Sequence, residues 1–228
     1  MALILNLETS TTVCSVSLAK DGCLLSFKDL NGDYSHAENL TLFIEDVLKQ
    51  ANFGLTDVDA IAVSKGPGSY TGLRIGVSTA KGLCYSLDKP LIAIDTLQYL
   101  SLTLSQKEEN NNVLFCPMLD ARRMEVYCAI YDRWNNCIKE TSAEIIDEFS
   151  FADLLKIHKI VFFGDGAEKC KSVLLQNENS IFVDNVLTSG KSMVQLSEKA
   201  FLNKQFENVA YFEPLYLKDF IAGKKKQA

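Results

Sequence analysis

The first part of the chain alternates short apolar runs with polar turns and then changes to a longer, helical period. The apolar runs are rich in Val, Leu and Ile, which predicts three successive β-strands, at 2–7, 13–19 and 23–29. From 36 to 51 the apolar residues recur every three or four positions, and this spacing predicts an amphipathic helix. Asp33 and Ser35 are candidates to cap the start of that helix.

The next elements complete a unit that the second half of the chain repeats. Pro90 cannot continue a helix, so it separates a predicted helix from the strand that follows. The polar stretch 105–112 is the best candidate linker. The remaining predicted strands are 60–63, 91–94, 113–119, 124–131, 137–145, 160–163 and 181–184, and the remaining helices are 70–87, 96–105, 150–156, 166–175 and 191–204.

Both halves therefore follow the order β-β-β-α-β-α, which predicts an α/β protein with two mixed sheets and helices on their faces. Duplication of this unit resembles the actin, Hsp70 and sugar-kinase superfamily, whose units are RNase H-like. The predicted domains are 1–106 and 107–228, with the final helix and tail packing back on the first. This analogy of fold does not by itself assign a function.

Composition excludes several function classes. The 228 residues are 47% hydrophobic and 23% charged, with a formal net charge of -6, which argues against autonomous binding to a long nucleic acid. Only the tail, with Lys218 and 224–226, is locally basic, and a solvated tail is its simplest interpretation. Seven cysteines without a C-x-x-C pair predict reduced thiols, and no apolar run approaches the ~18 residues of a membrane span. We therefore expect a cytoplasmic protein without a membrane segment.

A glycine-rich turn, G-P-G-S-Y-T-G, lies between the strand at 60–63 and the helix at 70–87. Gly66 and Gly68 allow close backbone approach, and Ser69 or Thr71 can cap the helix. The free N–H groups of a helix N-terminus could bind an anion such as phosphate. The turn is open to two interpretations, a structural strand-to-helix connection or a loop that contacts a ligand or partner.

Small residues form a row along the same helix, at Gly72, Gly76 and Ala80. Such a row allows close packing, either on the chain's own sheet or at a helix–helix seam with another subunit. On the preceding helix, Leu42 falls nearly opposite the apolar side and Phe43 lies at its border. These five residues are the predicted partner interface.

The second half carries two candidate anion or nucleotide contacts. Arg122 and Arg123 could clamp a phosphate or carboxylate, or could be neutralised by the neighbouring Asp120 and Glu125. The run from Gly164 to Gly166 is similar to a degenerate form of the loop that grips adenosine in the superfamily.

The sequence offers few candidate catalytic residues. At the first hairpin turn, Glu8 and four hydroxyl residues stand where the superfamily typically carries Asp and Gly near nucleotide phosphates. The hydroxyl groups could bind an anion, but local hydrogen bonding within the turn is their expected use. His36 is interpreted as a surface residue and His158 as a loop residue, without metal-ligand spacing. The sequence predicts no catalytic residue and no metal site.

Several segments together resemble the TsaB (YeaZ-like) family over nearly the whole chain. The most specific are G-P-G-S-Y-T-G-L-R-I-G and D-A-R-R-M-E-V-Y, with I-L-N-L-E-T-S-T, P-L-I-A-I-D-T-L and P-L-Y-L-K-D in support. In the threonylcarbamoyl-transferase relatives an H-x-x-x-H pair binds metal, and here those positions are Thr96 and Leu100. Neither side chain can replace an imidazole ligand.

The resemblance implies a non-catalytic subunit for N6-threonylcarbamoylation of adenosine 37 in tRNAs that read codons beginning with A. It implies a TsaD-like catalytic partner, a TsaE-like ATPase, and tRNA contact only through the complex. No cofactor of the chain's own is expected, although ADP or ATP could bind at the partner interface, and a homodimer is a further expectation. The alternatives are an active small-molecule kinase and a metallopeptidase-like enzyme, which need intact phosphate loops and the histidine pair.

Overall fold

A computed structural model describes residues 2–32 and 36–218 and contains ten strands. The strands are β1 Leu3–Glu8, β2 Val13–Lys20, β3 Cys23–Asn31, β4 Ala60–Gly66, β5 Leu91–Asp95, β6 Val113–Asp120, β7 Glu125–Tyr131, β8 Cys137–Ile145, β9 Lys159–Phe163 and β10 Ser180–Val183. The α-helices are α1 His36–Gln50, α2 Tyr70–Leu87, α3 Thr96–Ser105, α4 Ala152–Leu155, α5 Lys171–Leu174 and α6 Gly190–Leu202. The predicted caps Asp33 and Ser35 and the lysines at 224–226 lie outside the described residues.

The strands form two five-stranded sheets with the same topology. The first sheet has the order β3-β2-β1-β4-β5, and the second has the corresponding order β8-β7-β6-β9-β10. In each sheet, the first three strands in chain order form an antiparallel meander. The fourth strand pairs parallel with the first, and the fifth pairs parallel with the fourth. The predicted α/β class and the duplicated β-β-β-α-β-α unit are therefore confirmed.

The two sheets differ in the helices on their outer faces. Helices α1 and α2 bury an apolar cluster against the first sheet, whereas α4 and α5 cover the second and are one turn long. The helices predicted at 150–156 and 166–175 are thus largely replaced by turns and a 3₁₀ segment, Glu168–Cys170. Neither short helix has a side-chain cap, which leaves its first N–H groups without that stabilisation.

Helices α3 and α6 lie between the sheets, and each packs mainly on the sheet of the opposite half. Helix α3 packs mainly against β6 and β7 of the second sheet and also contacts β4 and β5 of the first, whereas α6 packs against β1, β2 and β5 of the first. The central core joins both halves, since Ile4, Ile92, Phe115, Phe163 and Met193 belong to one buried cluster. The halves are therefore interlocked.

The chain beyond α6 also returns to the first half. The Glu207 N–H donates to the Leu91 carbonyl at 2.9 Å, and the Leu215 N–H donates to the Lys65 carbonyl at 2.7 Å. The start of α6 is held there as well, because the Gly190 N–H donates to Ser15 Oγ at 2.7 Å. The final helix and the described part of the tail thus pack on the first sheet.

All seven cysteines are free, and only Cys23 and Cys137 are exposed. Among residues 2–32 and 36–218, no helix is both long enough and apolar enough to cross a membrane.

Candidate functional site

The turn between β1 and β2 is organised around a buried carboxylate. Glu8 is fully buried, and its Oε1 accepts from the backbone N–H and the hydroxyl of Ser10, both at 2.5 Å. Its Oε2 accepts from the hydroxyl of Tyr99 on α3, also at 2.5 Å. Desolvation raises the pKa of Glu8, while the hydrogen bonds from Ser10 and Tyr99 oppose the shift. The carboxyl points into the protein, and Ser10 makes the local hydrogen bonds expected of the hydroxyl residues in this turn. Nothing in the sequence indicated Tyr99.

The glycine-rich turn packs directly on that hairpin. A Cβ at Gly68 would lie 2.2 Å from the Ser10 carbonyl oxygen, and the Ser69 N–H donates to the same oxygen at 2.6 Å. Ser69 Oγ accepts from the Gly72 N–H at 3.3 Å, so Ser69 caps α2 as predicted. Gly66 has φ +111°, and a Cβ there would lie 2.9 Å from the Leu215 carbonyl oxygen. The close approaches that require glycine at 66 and 68 are therefore made to the chain's own backbone.

The row of small residues on α2 faces inward. A Cβ at Gly72 would meet the Thr9 carbonyl oxygen at 2.1 Å, and one at Gly76 would meet Thr9 Oγ1 at 2.2 Å. Ala80 is fully buried against the sheet. Their placement in the partner interface is thus corrected: the row lets α2 approach the β1–β2 turn, and a second subunit cannot reach it in this arrangement.

The interpretation of His36 as a surface residue is also wrong. Its side chain is buried, and its Nε2–H donates to the Thr11 carbonyl at 2.7 Å, so it joins the start of α1 to the same hairpin. His158 lies in the loop before β9, as expected.

The second half repeats the contact between a glycine turn and the end of a central strand. A Cβ at Gly164, where φ is +101°, would lie 2.3 Å from the Met118 carbonyl oxygen. One at Gly166 would lie 2.7 Å from the Leu119 carbonyl carbon. The Asp120 N–H donates to Asp165 Oδ1 at 3.1 Å. These glycines, like those after β4, accommodate the neighbouring strand.

Arg122 and Arg123 occupy the β6–β7 turn in an uncommon conformation. Both residues have a left-handed backbone conformation, with φ of 72° and 51°, and both side chains are exposed. The alternative in which Asp120 and Glu125 neutralise them is not what the structure contains. Lys169 pairs with Asp120 and Lys218 pairs with Glu125 instead. Among the described residues neither guanidinium group forms an ion pair, so both add positive charge to this turn.

The space between the hairpin of the first half and the second half is almost closed. Leu100, Leu119 and Leu187 line a cavity there of only about 10 Å³, together with Thr11, Thr12, Asp165, Val186 and Thr188. A cavity volume near 10 Å³ holds about one water molecule, whereas a small-molecule site usually has a volume of several hundred Å³. This position cannot accommodate a nucleotide without a rearrangement.

The positions that resemble the metal-binding pair are buried. Thr96 and Leu100 both have no exposed surface, and Thr96 offers a hydroxyl where an imidazole would be needed. The described residues also contain no group of three or more His, Cys, Asp or Glu side chains that could hold a metal ion. The side chains present do not fit the metal of the transferase relatives.

The outer face of α1 and α2 remains as the candidate interaction surface. Leu42 projects outward as predicted and is 54% exposed, whereas Phe43 is buried in the cluster beneath α1, with Lys28 Nζ 4.9 Å from its ring centre. Phe43 is thus corrected to a core residue. Tyr85 on α2 is 86% exposed and borders an open depression of about 550 Å³ with Gly82 and the segment 208–210. Helical spacing, which puts Tyr85 on the side opposite the row at 72, 76 and 80, could have revealed it.

The duplicated fold with a glycine turn in each half is that of a TsaD-like protein. The family model of TsaD, described as tRNA N6-adenosine threonylcarbamoyltransferase, matches residues 33–226. The chain is 30% identical to the tRNA threonylcarbamoyladenosine biosynthesis protein TsaB of Escherichia coli strain K12 over 97% of each chain. The chain belongs to the TsaB family.

Two further comparisons show a partial sequence match and a shared fold. A tRNA N6-adenosine threonylcarbamoyltransferase of Staphylococcus haemolyticus is 39% identical over 108 residues, which cover 40% of this chain and 32% of that one. A crystal structure from Pseudomonas aeruginosa, described as an uncharacterized protein similar to the peptidase YEAZ, superposes with a TM-score of 0.80. It covers 96% of this chain and all of that one at 24% identity, which establishes the shared fold.

Proposed function

We propose that this chain is a non-catalytic subunit in the synthesis of threonylcarbamoyladenosine in tRNA, acting in the cytoplasm. In this role it binds and activates a TsaD-like catalytic chain, and a TsaE-like ATPase joins them. The names of its relatives supply the pathway. The observation that carries the non-catalytic part is the burial of Thr96 and Leu100 at the positions of the metal ligands.

The closed cleft supports the same proposal. A kinase of this superfamily needs room for nucleotide phosphates beside its hairpin turns. Here Glu8 and the leucines that line the small cavity occupy that region. Both glycine turns are filled by the chain's own strands. We therefore assign no nucleotide to the chain's own cleft, and ADP or ATP would be held at the partner interface.

We propose the outer face of α1 and α2 as the partner surface. Leu42 and Tyr85 are large exposed side chains on neighbouring helices, and the depression beside Tyr85 could receive a side chain of the partner. A homodimer through this face would compete with the heterodimer.

The test is reconstitution of tRNA modification from purified components. The chain, its TsaD-like paralogue and a TsaE-like ATPase are incubated with threonylcarbamoyl-adenylate and unmodified tRNA, and each protein is omitted in turn. We expect product only when the chain and paralogue are both present, and no turnover by the chain alone with tRNA, sugars and ATP, or peptides. Turnover by the chain alone would overturn the non-catalytic assignment, and full activity without the chain would overturn the activator role.

A further inference from the structure

The strongest unassigned feature is the positive charge around the β6–β7 turn. Arg122 and Arg123 hold the two central positions of this hairpin turn, both with positive φ. That conformation favours Asn and Gly and is unfavourable for other residues. A turn built only for connection would not need arginine at either place. Backbone strain that persists at exposed charged residues points to a use for their side chains.

The two acidic residues of this hairpin, Asp120 and Glu125, already have lysine partners. Lys169 pairs with Asp120 and also donates to the Glu125 carbonyl at 2.7 Å. Lys218 pairs with the Glu125 carboxylate, and its Nζ lies 3.5 Å from the Ala121 carbonyl oxygen. Across the described residues, no ion pair engages the guanidinium of Arg122 or Arg123. The arginines are thus free to meet an external anion.

A second cationic group continues from this turn along the C-terminal segment. Lys218 follows Tyr216 by two residues, and Arg74 Nε donates to the Tyr216 hydroxyl at 3.2 Å. The Arg74 guanidinium carbon also lies 4.1 Å from the ring centre of Tyr70. We call Arg74, Lys218, Arg122 and Arg123 the basic strip. It runs from the start of α2 to the β6–β7 turn and combines planar guanidinium groups with an aromatic pair.

We propose that the basic strip contacts RNA, binding the phosphate backbone through Arg122 and Arg123 and a base or sugar beside Arg74. The identity of the RNA as tRNA rests on the proposed function. Arginine suits phosphate because its planar fork forms two parallel hydrogen bonds, and its plane can stack on unpaired bases. The overall charge of -6 does not oppose this contact, since charges beyond about 10 Å are largely screened at physiological salt. It does imply that the strip supplements a stronger site on the catalytic partner.

The test measures the affinity of the chain–paralogue complex for an unmodified tRNA transcript by fluorescence anisotropy across a salt series. The variant Arg122→Gln/Arg123→Gln removes two charges while keeping the Cβ atoms and therefore the backbone preference. We expect about tenfold weaker binding near 0.1 M salt, with the slope of log affinity against log salt reduced by roughly 1 to 2. Arg74→Lys keeps the charge but lacks the planar guanidinium group, and we expect its affinity for tRNA to be a few fold weaker.

The matched control is Lys107→Gln/Lys199→Gln. Both lysines are exposed, and neither forms an ion pair within the part of the chain that the structure describes. Lys107 precedes the start of β6, at the opposite end of that strand from the turn. This control changes net charge equally and should retain tRNA affinity. Equal losses in the two double variants would mean a diffuse charge effect and would overturn the proposal.

The remaining outcomes separate this inference from the proposed function. If the arginine variant loses affinity for the paralogue rather than for tRNA, the strip is a protein contact and the RNA assignment is wrong. If no complex with the paralogue forms at all, the proposed function fails. The chain alone is then titrated with tRNA at low salt, where binding that depends on Arg122 and Arg123 would sustain the inference and its absence would overturn it.

Discussion

At the scale of single residues, two glycines of α2 have opposite environments. Gly72 lies against the Thr9 carbonyl, whereas nothing lies within 4 Å of the position a Cβ would take at Gly82. Glycine in a helix interior, such as Gly82, costs roughly 1 kcal/mol relative to alanine, whereas Gly72 lies in the first turn of α2. The contact with Thr9 requires glycine at 72, and no contact requires it at 82.

We therefore predict that Gly72→Ala lowers the free energy of unfolding by about 2 kcal/mol or more, because the backbone of the hairpin must move. Gly82→Ala, the matched control, should raise it by roughly 0.5–1 kcal/mol. Urea denaturation followed by circular dichroism measures both. Tolerance of alanine at 72 would show that α2 and the β1–β2 turn do not make this contact.

Glu8 gives stability a pH dependence of definite sign. Because burial raises its pKa in the folded state, the folded chain binds more protons than the unfolded chain above the ordinary carboxyl range. The contribution of Glu8 is therefore most favourable at low pH and decreases as pH rises through the folded-state pKa. Desolvation also raises the pKa of Asp95 and Asp165, so wild-type data alone cannot isolate Glu8.

We predict that Glu8→Gln flattens the fall in stability that accompanies a rise in pH above the ordinary carboxyl range. Glutamine keeps the shape of the side chain and an acceptor for the Ser10 N–H. Thermal melts of wild type, Glu8→Gln and the exposed control Glu45→Gln over this rise in pH test the idea. If Glu8→Gln and wild type lose stability in parallel as pH rises, Glu8 is not the buried titrating group.

At the scale of elements, the outer helices bear on partner choice. Leu42 on α1 and Leu175 after α5 are equally exposed, at 54%, but only Leu42 lies on the proposed partner face. A charge at an exposed position should leave folding intact. A charge inside a well-packed interface should cost on the order of 2 kcal/mol, about thirtyfold in affinity.

We thus predict that Leu42→Glu keeps the wild-type melting midpoint but binds the TsaD-like paralogue about thirtyfold more weakly. Leu175→Glu should match wild type in both respects. Calorimetry and titration of the purified chains measure the two quantities. Wild-type association by a folded Leu42→Glu variant would remove this face from consideration.

How much of these elements the sequence predicts depends on whether a pattern is local. The strands and the first three helices follow from their periods, and Ser69 follows from its place before α2. The small residues of α2 showed that something approaches closely, but the sequence could not tell that it is the β1–β2 turn. His36 was misplaced for the same reason, because its partner, the Thr11 carbonyl, is 25 residues away. The partner of Glu8, Tyr99, is more distant still, at 91 residues.

At the scale of the whole molecule, the exchange of α3 and α6 determines how the halves depend on each other. The boundary predicted between 106 and 107 falls after α3, which packs on β6 and β7 of the second sheet more than on β4 and β5 of the first. Conversely, α6 belongs to the second half by sequence but packs on the first sheet. Cutting the chain there would leave each half without the helix that covers its inner face. We therefore expect the two sheets to unfold together, although each has its own outer core.

Met193 on α6 provides the test because it is fully buried in the core that both sheets share. We predict that Met193→Ala lowers the free energy of unfolding by roughly 2–5 kcal/mol. The loss should register equally in hydrogen exchange of amides in β1 and in β9, since both open only by global unfolding. Leu174→Ala, which shortens a side chain in the outer core of the second half, should likewise affect both strands. If Met193→Ala loosens β1 while β9 keeps its protection, the halves are independent domains, and the interlocking through α3 and α6 does not control stability.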